Sequence, residues 1–319
     1  MQKRRLGRTD LSIAPVVFGG NVFGWTADAK TAFDLLDRFV GAGLNAIDTA
    51  DVYSKWAAGN TGGESETIIG AWLKARGKRN DVTIVTKVGS PMPASAKRSL
   101  SAAYIERAVE ASLRRLGVEA IDLYLSHWPD DSVAHAETLG AYQRLIARGK
   151  IRWCGASNFS AAQLSAALEA SRAQGLPRYE VLQPEYNLYD RSGFEGALRD
   201  LCVAEEIGVV TYYSLAKGFL AGKYRTQADL GQSPRGGGVR GYLNPRGLRI
   251  VDALASVAAR RGAKSAEVAL AWLIAQPGVT APIASATTPA QVDSLIRAAT
   301  LALSADDLAA LDSAAAPKP

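Results

Sequence analysis

Four ionisable side chains stand at, or just beyond, the ends of short apolar runs: Asp48 and Tyr53 in "LNAIDTADVY", Lys87 in "VTIVTK" and His127 in "AIDLYLSH". A phenol of ordinary pKa about 10 is a poor proton donor near neutrality until a neighbouring cation stabilises its phenolate. Lys87 is placed to be that cation. A lysine drawn into a partly dry site tends to lose its proton, and a carboxylate within roughly 4–6 Å opposes the loss, which is a task for Asp48. Asp48 itself, with an ordinary pKa of about 4, is ionised at neutral pH and has no proton to deliver. His127, as neutral imidazole, can donate to a carbonyl oxygen and hold it beside the tyrosine hydroxyl. Taken singly, each has a plainer reading: a helix cap, a rim aromatic, a solvated strand end, a core histidine. Their recurrence on successive strand ends points to a site, and the chemistry is acid-assisted addition to a carbonyl.

Other chemistries find less support. A metal-dependent barrel hydrolase needs several His and carboxylate ligands, and the chain has two histidines in all, so no metal is expected. No primed Ser or Cys nucleophile accompanies the four groups. A Schiff-base aldolase on Lys87 is the competing use of the lysine, and it leaves the tyrosine and aspartate beside it unused. The two cysteines, Cys154 in "IRWCGAS" and Cys202 in "LRDLCVAEE", sit in apolar settings and read as buried free thiols rather than as a disulfide or metal pair.

The net charge of +6 is uneven: from Lys217 to Arg249 the chain carries seven basic residues and one acid in a Gly- and Pro-rich stretch. A nucleic-acid groove would interleave stacking aromatics with such charge on a regular platform, so a phosphate-bearing small ligand is the better match. The first twenty residues lack the apolar core and cleavage site of a signal peptide, and nowhere do eighteen apolar residues run together. A cytosolic protein without membrane insertion is expected.

The elements that must position these groups follow from the pattern. Eight short apolar runs, at 16–20, 44–49, 82–87, 120–127, 151–157, 179–187, 208–214 and 279–285, have the length and Val/Ile/Tyr content of buried parallel strands. Segments of helical spacing lie between them, several closing on a basic residue and then Gly. Eight alternations in 319 residues fit a closed (β/α)8 TIM barrel in one domain, 1–319, better than an open doubly wound sheet, and no strand is followed by GxGxxG. The opening "KRRLGRTDLSIAP" predicts a β-hairpin capping the barrel floor. The tail from 289 predicts two extra helices, the second capped by Ser304. Catalytic groups of such a barrel stand at the C-terminal ends of its strands, where the four are found.

In order and spacing, "LNAIDTADVY", "GESETIIGAWLK", "IVTKVG", "DLYLSHWPD", "IRWCGASNFS", "LQPEYN", "YYSLAKGFLAGKY" and "PIASATTPAQV" resemble the aldo-keto reductase superfamily over essentially the whole chain. The flavour is that of bacterial branches whose fold also serves potassium-channel β-subunits. The resemblance implies carbonyl reduction by a nicotinamide dinucleotide, with Asp48, Tyr53, Lys87 and His127 as the catalytic set. It implies Ser157, Asn158 and Gln183 on the carboxamide, with Tyr213 stacked on the nicotinamide ring; Asn158 has a helix-capping alternative ahead of "SAAQLSAAL". Ser214, Leu215, Lys217 and Gly218 would follow the pyrophosphate, and residues 221–247 would fold over it as a lid or remain a solvated loop.

NADPH is the implied cofactor. Thr287 nevertheless stands where NADPH-preferring relatives carry Arg or Lys, which opens NADH or dual use; Ser285, Thr287, Thr288 and Gln291, with Arg235 or Arg240, remain to hold a 2′-phosphate. Asn21, Trp25, Trp56 and Trp128 are expected around a small-molecule carbonyl or sugar substrate. A cofactor-sensing, partner-binding protein like the channel β-subunits would share all these motifs. Turnover separates the two, in a monomer or a homo-oligomer alike.

Overall fold

A computed structural model describes residues 1–92 and 97–316; Pro93 to Ala96 and Pro317 to Pro319, which belong to the expected domain, lie outside the described residues. Arg4–Arg5 (β1) and Ser12–Ile13 (β2) pair antiparallel as the expected hairpin. All eight apolar runs then carry strands: Val17–Gly19 (β3), Ala46–Asp48 (β4), Thr83–Val88 (β5), Ile121–Ser126 (β6), Ile151–Ser157 (β7), Val181–Gln183 (β8), Gly208–Thr211 (β9) and Ala281–Ala284 (β10). They close in parallel as a barrel, β10 meeting β3 through Ile283 opposite Val17. The run at 179–187 is cut short because Pro184 has no N–H for the ladder, and beyond it only a bridge from Glu185 to Tyr212 remains.

Helices wrap the barrel: Ala29–Gly41 (α1), Glu64–Arg76 (α2), Ala102–Leu116 (α3), His135–Ala147 (α4), Ala161–Gln174 (α5), Ala197–Ala204 (α6), Pro245–Arg261 (α7), Ser265–Ala275 (α8), Pro289–Ala298 (α9) and Ala305–Ala315 (α10). α3 and α5 stop where Gly117 and Gly175 take the left-handed conformation (φ 64° and 61°) that favours glycine. In α10 the Ser304 hydroxyl accepts from Asp307 N–H, and Asp307 returns to the Ser304 backbone, so the expected cap is a reciprocal one. Among the described residues no helix is long and apolar enough to cross a membrane, and Cys154 and Cys202 are buried free thiols.

Strand alternation decides what reaches the mouth. Ala46, Val85, Leu123, Leu125 and Val181 face the barrel interior, while Ile47, Ile84, Tyr124 and Leu182 face the helices. Asp48, Lys87, His127 and Gln183 each lie two residues beyond an inward residue and inherit its direction. Register staggers them: Asp48 is level with Val85, and Lys87, one inward layer higher, is level with Leu125, so His127 is higher again.

The floor is sealed by the hairpin, whose Leu6, Leu11 and Ile13 pack on inward Val17, Ala46, Val181, Val210 and Ala281. The hairpin turn is held by Thr9 Oγ1, which donates to Leu6 O (2.6 Å) and accepts from Leu11 N (3.1 Å). Gly7 sits in this turn at φ 60°, where a Cβ would meet Glu180 O at 2.4 Å and Gly208 N at 2.8 Å, both backbone. Gly7→Ala is therefore expected to destabilise the protein by about 2–4 kcal/mol, adding left-handed strain to overpacking. Urea unfolding at unchanged m-value checks this, and an unshifted midpoint would show that the turn is not seated against β8 and β9.

Candidate active site

Lys87 is wholly buried, and its Nζ donates to Asp48 Oδ2 (2.7 Å), Thr49 O (2.7 Å) and Tyr53 OH (2.8 Å). An ammonium has three N–H donors, and each has one acceptor. The second oxygen of Asp48, Oδ1, accepts from Gln183 Nε2 (2.8 Å) across the barrel. Burial pulls Lys87 below its ordinary value, and the Asp48 carboxylate opposes that pull.

Tyr53 departs from expectation. Desolvation, reinforced by the Asp48 charge, raises the phenol well above its ordinary value, so in the free protein Lys87 does not bring it toward neutrality. The phenol is held protonated instead, as a loaded acid. Its proton has a long contact to Asp48 Oδ2 (3.3 Å) or the open cleft to point into.

Desolvation and the charges of Lys87, Arg98 and Lys55 lower His127 well below its ordinary value, which keeps the imidazole neutral at pH 7. Ser90 Oγ lies 2.9 Å from Nδ1; with the serine donating, the ring proton sits on Nε2. The His127 ring stands 6.0 Å from the Tyr53 ring at 73° and stacks on Trp128 at 6.2 Å.

These groups open on a cleft of about 830 Å³. Ser157 Oγ donates to Gln183 O (2.8 Å); Asn158 donates to His127 O (2.8 Å) and accepts from Tyr212 OH (2.6 Å). Asn158 is not the cap of α5, a role taken by Ser160 with Gln163. Gln183 Oε1 has no protein partner among the described residues. Tyr213, at φ 49°, leaves 42% of its surface exposed on the cleft wall, with Lys217 Nζ 5.0 Å from its ring. Ser214, Leu215, Lys217 and Gly218 continue that wall, and Ala216, Lys217 and Gly218 run at φ 46°, 58° and 100°.

At the far end Ser285 Oγ donates to Asn21 Oδ1 (2.6 Å), and the Thr287 N–H donates to Gln291 Oε1 (2.7 Å). Asn21 thus lies between the ends of β3 and β10 and near Arg235, while Trp56, Trp128 and Tyr53 form the opposite wall. Trp25 does not line the cleft. It packs edge-on behind Trp56 (5.8 Å), beneath the Arg235 guanidinium. From the 221–247 stretch Lys223, Tyr224, Ser233, Pro234 and Arg235 wall the cleft, tied by Tyr224 OH to Ser233 Oγ (2.6 Å), while Arg240 is exposed elsewhere.

Sequence reasoning missed four groups. Ser90, three residues past Lys87 on the same strand end, was within reach of the strand-end argument. Tyr212, Lys55 and Lys264 were not: Tyr212 reads as an inward core aromatic, Lys55 as a loop lysine and Lys264 as a solvated residue before a helix. Lys264 lines the cleft beside Thr287, Gln291 and Ser294, donating to Ser294 Oγ (3.3 Å).

A model of the aldo/keto reductase family matches residues 15–316. The chain is 32% identical to a probable voltage-gated potassium channel subunit beta of Arabidopsis thaliana, over 93% of this chain and 91% of that one. It is 31% identical to the protein tas of Escherichia coli, over 98% and 97%, and 32% identical to the aldo-keto reductase YhdN of Bacillus subtilis, over 91% and 84%.

Behind the site, Asp51 is 3% exposed and its Oδ1 has no hydrogen-bond partner among the described residues. Burial and then the Glu66 charge push it up to about 8, against Arg115, the Val52 N–H and Lys87. An unfolded aspartate titrates near 4, so between about pH 4 and 8 the folded chain holds a proton that the unfolded chain has released, and stability falls as pH rises through that window. The melting temperature of the wild type should therefore drop more steeply than that of Asp51→Asn between about pH 5 and 8. Parallel curves in differential scanning calorimetry would remove Asp51 as the source.

Proposed function

The chain belongs to the aldo/keto reductase family, a family of oxidoreductases, and from that premise we propose that it reduces aldehydes or ketones, or in reverse oxidises the corresponding alcohols or sugars, with Tyr53 as the proton donor and acceptor. The observation that carries the reading is one ammonium shared between a carboxylate, a backbone carbonyl and a protonated phenol, beneath a neutral imidazole facing the same cleft.

Each residue then has a task. Neutral His127 donates from Nε2 to the carbonyl oxygen and holds it beside Tyr53, and Tyr53 passes its proton to that oxygen as charge develops there. Lys87, already donating to the phenol oxygen, stabilises the phenolate left behind. Asp48 keeps Lys87 charged, and Gln183 and Thr49 fix the directions of both. Trp56 and Trp128 shield the reacting oxygen from water.

A bound nicotinamide dinucleotide would supply the hydride. The donor set fits such a group: Ser157, Asn158 and Gln183 offer neutral amides and a hydroxyl, Tyr213 offers an exposed ring, and Ser214, Leu215, Lys217 and Gly218 offer one cation on a run of left-handed backbone suited to an anion. Ser285, Thr287 and Gln291 line the other end. Lys264 there forms no ion pair among the described residues, and its ammonium replaces the basic residue absent at position 287, which supports NADPH over NADH. The likeness to a channel β-subunit favours a second reading, a cofactor sensor with little turnover.

Titration with NADPH and NADH, followed by an aldehyde and sugar panel, separates the two readings: dinucleotide binding without turnover supports the sensor. Tyr53→Phe should lower turnover by about 10²–10⁴-fold while nucleotide affinity, read by fluorescence quenching, stays within a few-fold. Near-normal turnover in that variant would end the assignment. Lys264→Met should weaken NADPH binding by about tenfold or more and leave NADH nearly unchanged, and equal losses for both would move the 2′-phosphate elsewhere.

A further inference from the structure

The order of strands divides the cleft mouth into two arcs. Loops after the adjacent strands β4, β5 and β6 contribute Val52, Tyr53, Lys55, Trp56, Ser90, Pro91, His127 and Trp128, and loops after β7 to β10 contribute the opposite wall. Lys217, Lys223, Arg235 and Lys264 all stand on the second arc, where a dinucleotide's phosphates would lie. On the first arc, with His127 neutral, the charged lining side chains among the described residues are Lys55 and, at the foot of the cleft, Asp48, so Lys55 is the one lining cation.

Lys55 is half-buried, forms no ion pair among the described residues, and donates to a single acceptor, Pro91 O. Two of its three N–H donors are left for the cleft. Among the described residues no carboxylate pairs with it, and Asp48, the carboxylate at the foot of the cleft, spends Oδ1 on Gln183 and Oδ2 on Lys87. A half-buried ammonium without a counter-charge, with donors to spare, is a ready partner for a ligand anion. Lys55 and His127 line the same cleft.

We propose that the carbonyl substrate carries a carboxylate, which pairs with Lys55 while an apolar or aromatic body lies against Trp56 and Trp128 and the carbonyl reaches Tyr53 and His127. The proposal rests on the reductase reading above and names the class of its substrate: oxo-acids and carboxylated aldehydes with an apolar spacer. Two free N–H donors on one ammonium match the two oxygens of one carboxylate.

A matched pair tests it: 4-carboxybenzaldehyde and its neutral methyl ester, whose aldehyde is the more electrophilic because an ester withdraws electrons more than a carboxylate, so intrinsic reactivity does not favour the acid. The wild type should favour the acid by about tenfold or more in kcat/KM, with the difference in KM, and Lys55→Met should bring that ratio to about one or below. Lys55→Arg should retain the preference. A ratio taken within one variant is insensitive to a general loss of folded protein. Equal kcat/KM for acid and ester in the wild type, or a ratio unmoved by Lys55→Met, overturns the proposal.

Terephthalate, which has no carbonyl to reduce, gives a readout independent of turnover. Its quenching of tryptophan fluorescence should weaken about tenfold in Lys55→Met, and equal affinity for both proteins overturns the proposal. Failure to reduce either aldehyde counts against the reductase reading instead, and the terephthalate titration then decides the carboxylate site alone.

Discussion

Lys87 Nζ holds a positive charge with no access to water, and three oxygens supplied by one strand end and its loop surround it. A buried ion pair adds little net stability compared with well-packed apolar residues, but losing one member leaves the other charge uncompensated at a cost of about 3–5 kcal/mol. The arrangement thus constrains the whole mouth of the barrel. Asp48 must be ionised, Thr49 must turn its carbonyl inward, and Tyr53 must stand above both. Packing alone requires none of this; under the proposed reductase reading, the charge is retained because it would stabilise the phenolate that a departing proton would leave.

That constraint reaches down to the floor. Inward positions hold Ala46, Val85, Leu125 and Val181, and polar groups begin only one layer above them, at Asp48, Lys87, His127 and Gln183. Water entering from below would hydrate the ion pair and weaken every electrostatic contact in it. Leu6, Leu11 and Ile13 close that route, so the hairpin protects the dielectric in which the lysine works, and its left-handed Gly7 is what lets it approach β8 and β9 so closely.

Alternation and strand length made the barrel legible. β5, β6 and β7 read as short apolar runs between helical segments, and Lys87 and His127 declare themselves by standing at the ends of two of them. The effect of burial on charge was not legible. The Lys87 cation suggested a tyrosine shifted toward neutrality, but desolvation and Asp48 outweigh it once the phenol leaves water. Contacts between distant strands were also invisible: Gln183 meets Asp48 from the far side of the barrel, and Lys264 reaches the cleft from before α8, where the local sequence reads only as a helix start. Trp25 and Trp56 look alike as loop tryptophans, and only the packed arrangement shows one standing behind the other.

The second arc of the mouth is built under strain. Tyr213, Ala216 and Lys217 hold left-handed backbone at φ 49°, 46° and 58°, each costing on the order of 1–3 kcal/mol for a residue with a Cβ. A connecting loop could avoid this with glycines, yet only Gly218 of the run is one. The strain is kept in place by Asn187, which is fully buried, donates to Tyr213 O (3.1 Å) and accepts the N–H groups of Tyr189 (2.8 Å) and Asp190 (2.9 Å). The outcome is an aromatic ring turned out over the cleft with a lysine 5.0 Å from it, a surface that gains nothing from the barrel's own packing. Under the proposed reading, the buried ion pair of the first arc and the strained, cationic second arc divide the work: proton transfer needs fixed directions in a dry site, and a dinucleotide's phosphates need exposed donors that a ligand can cover.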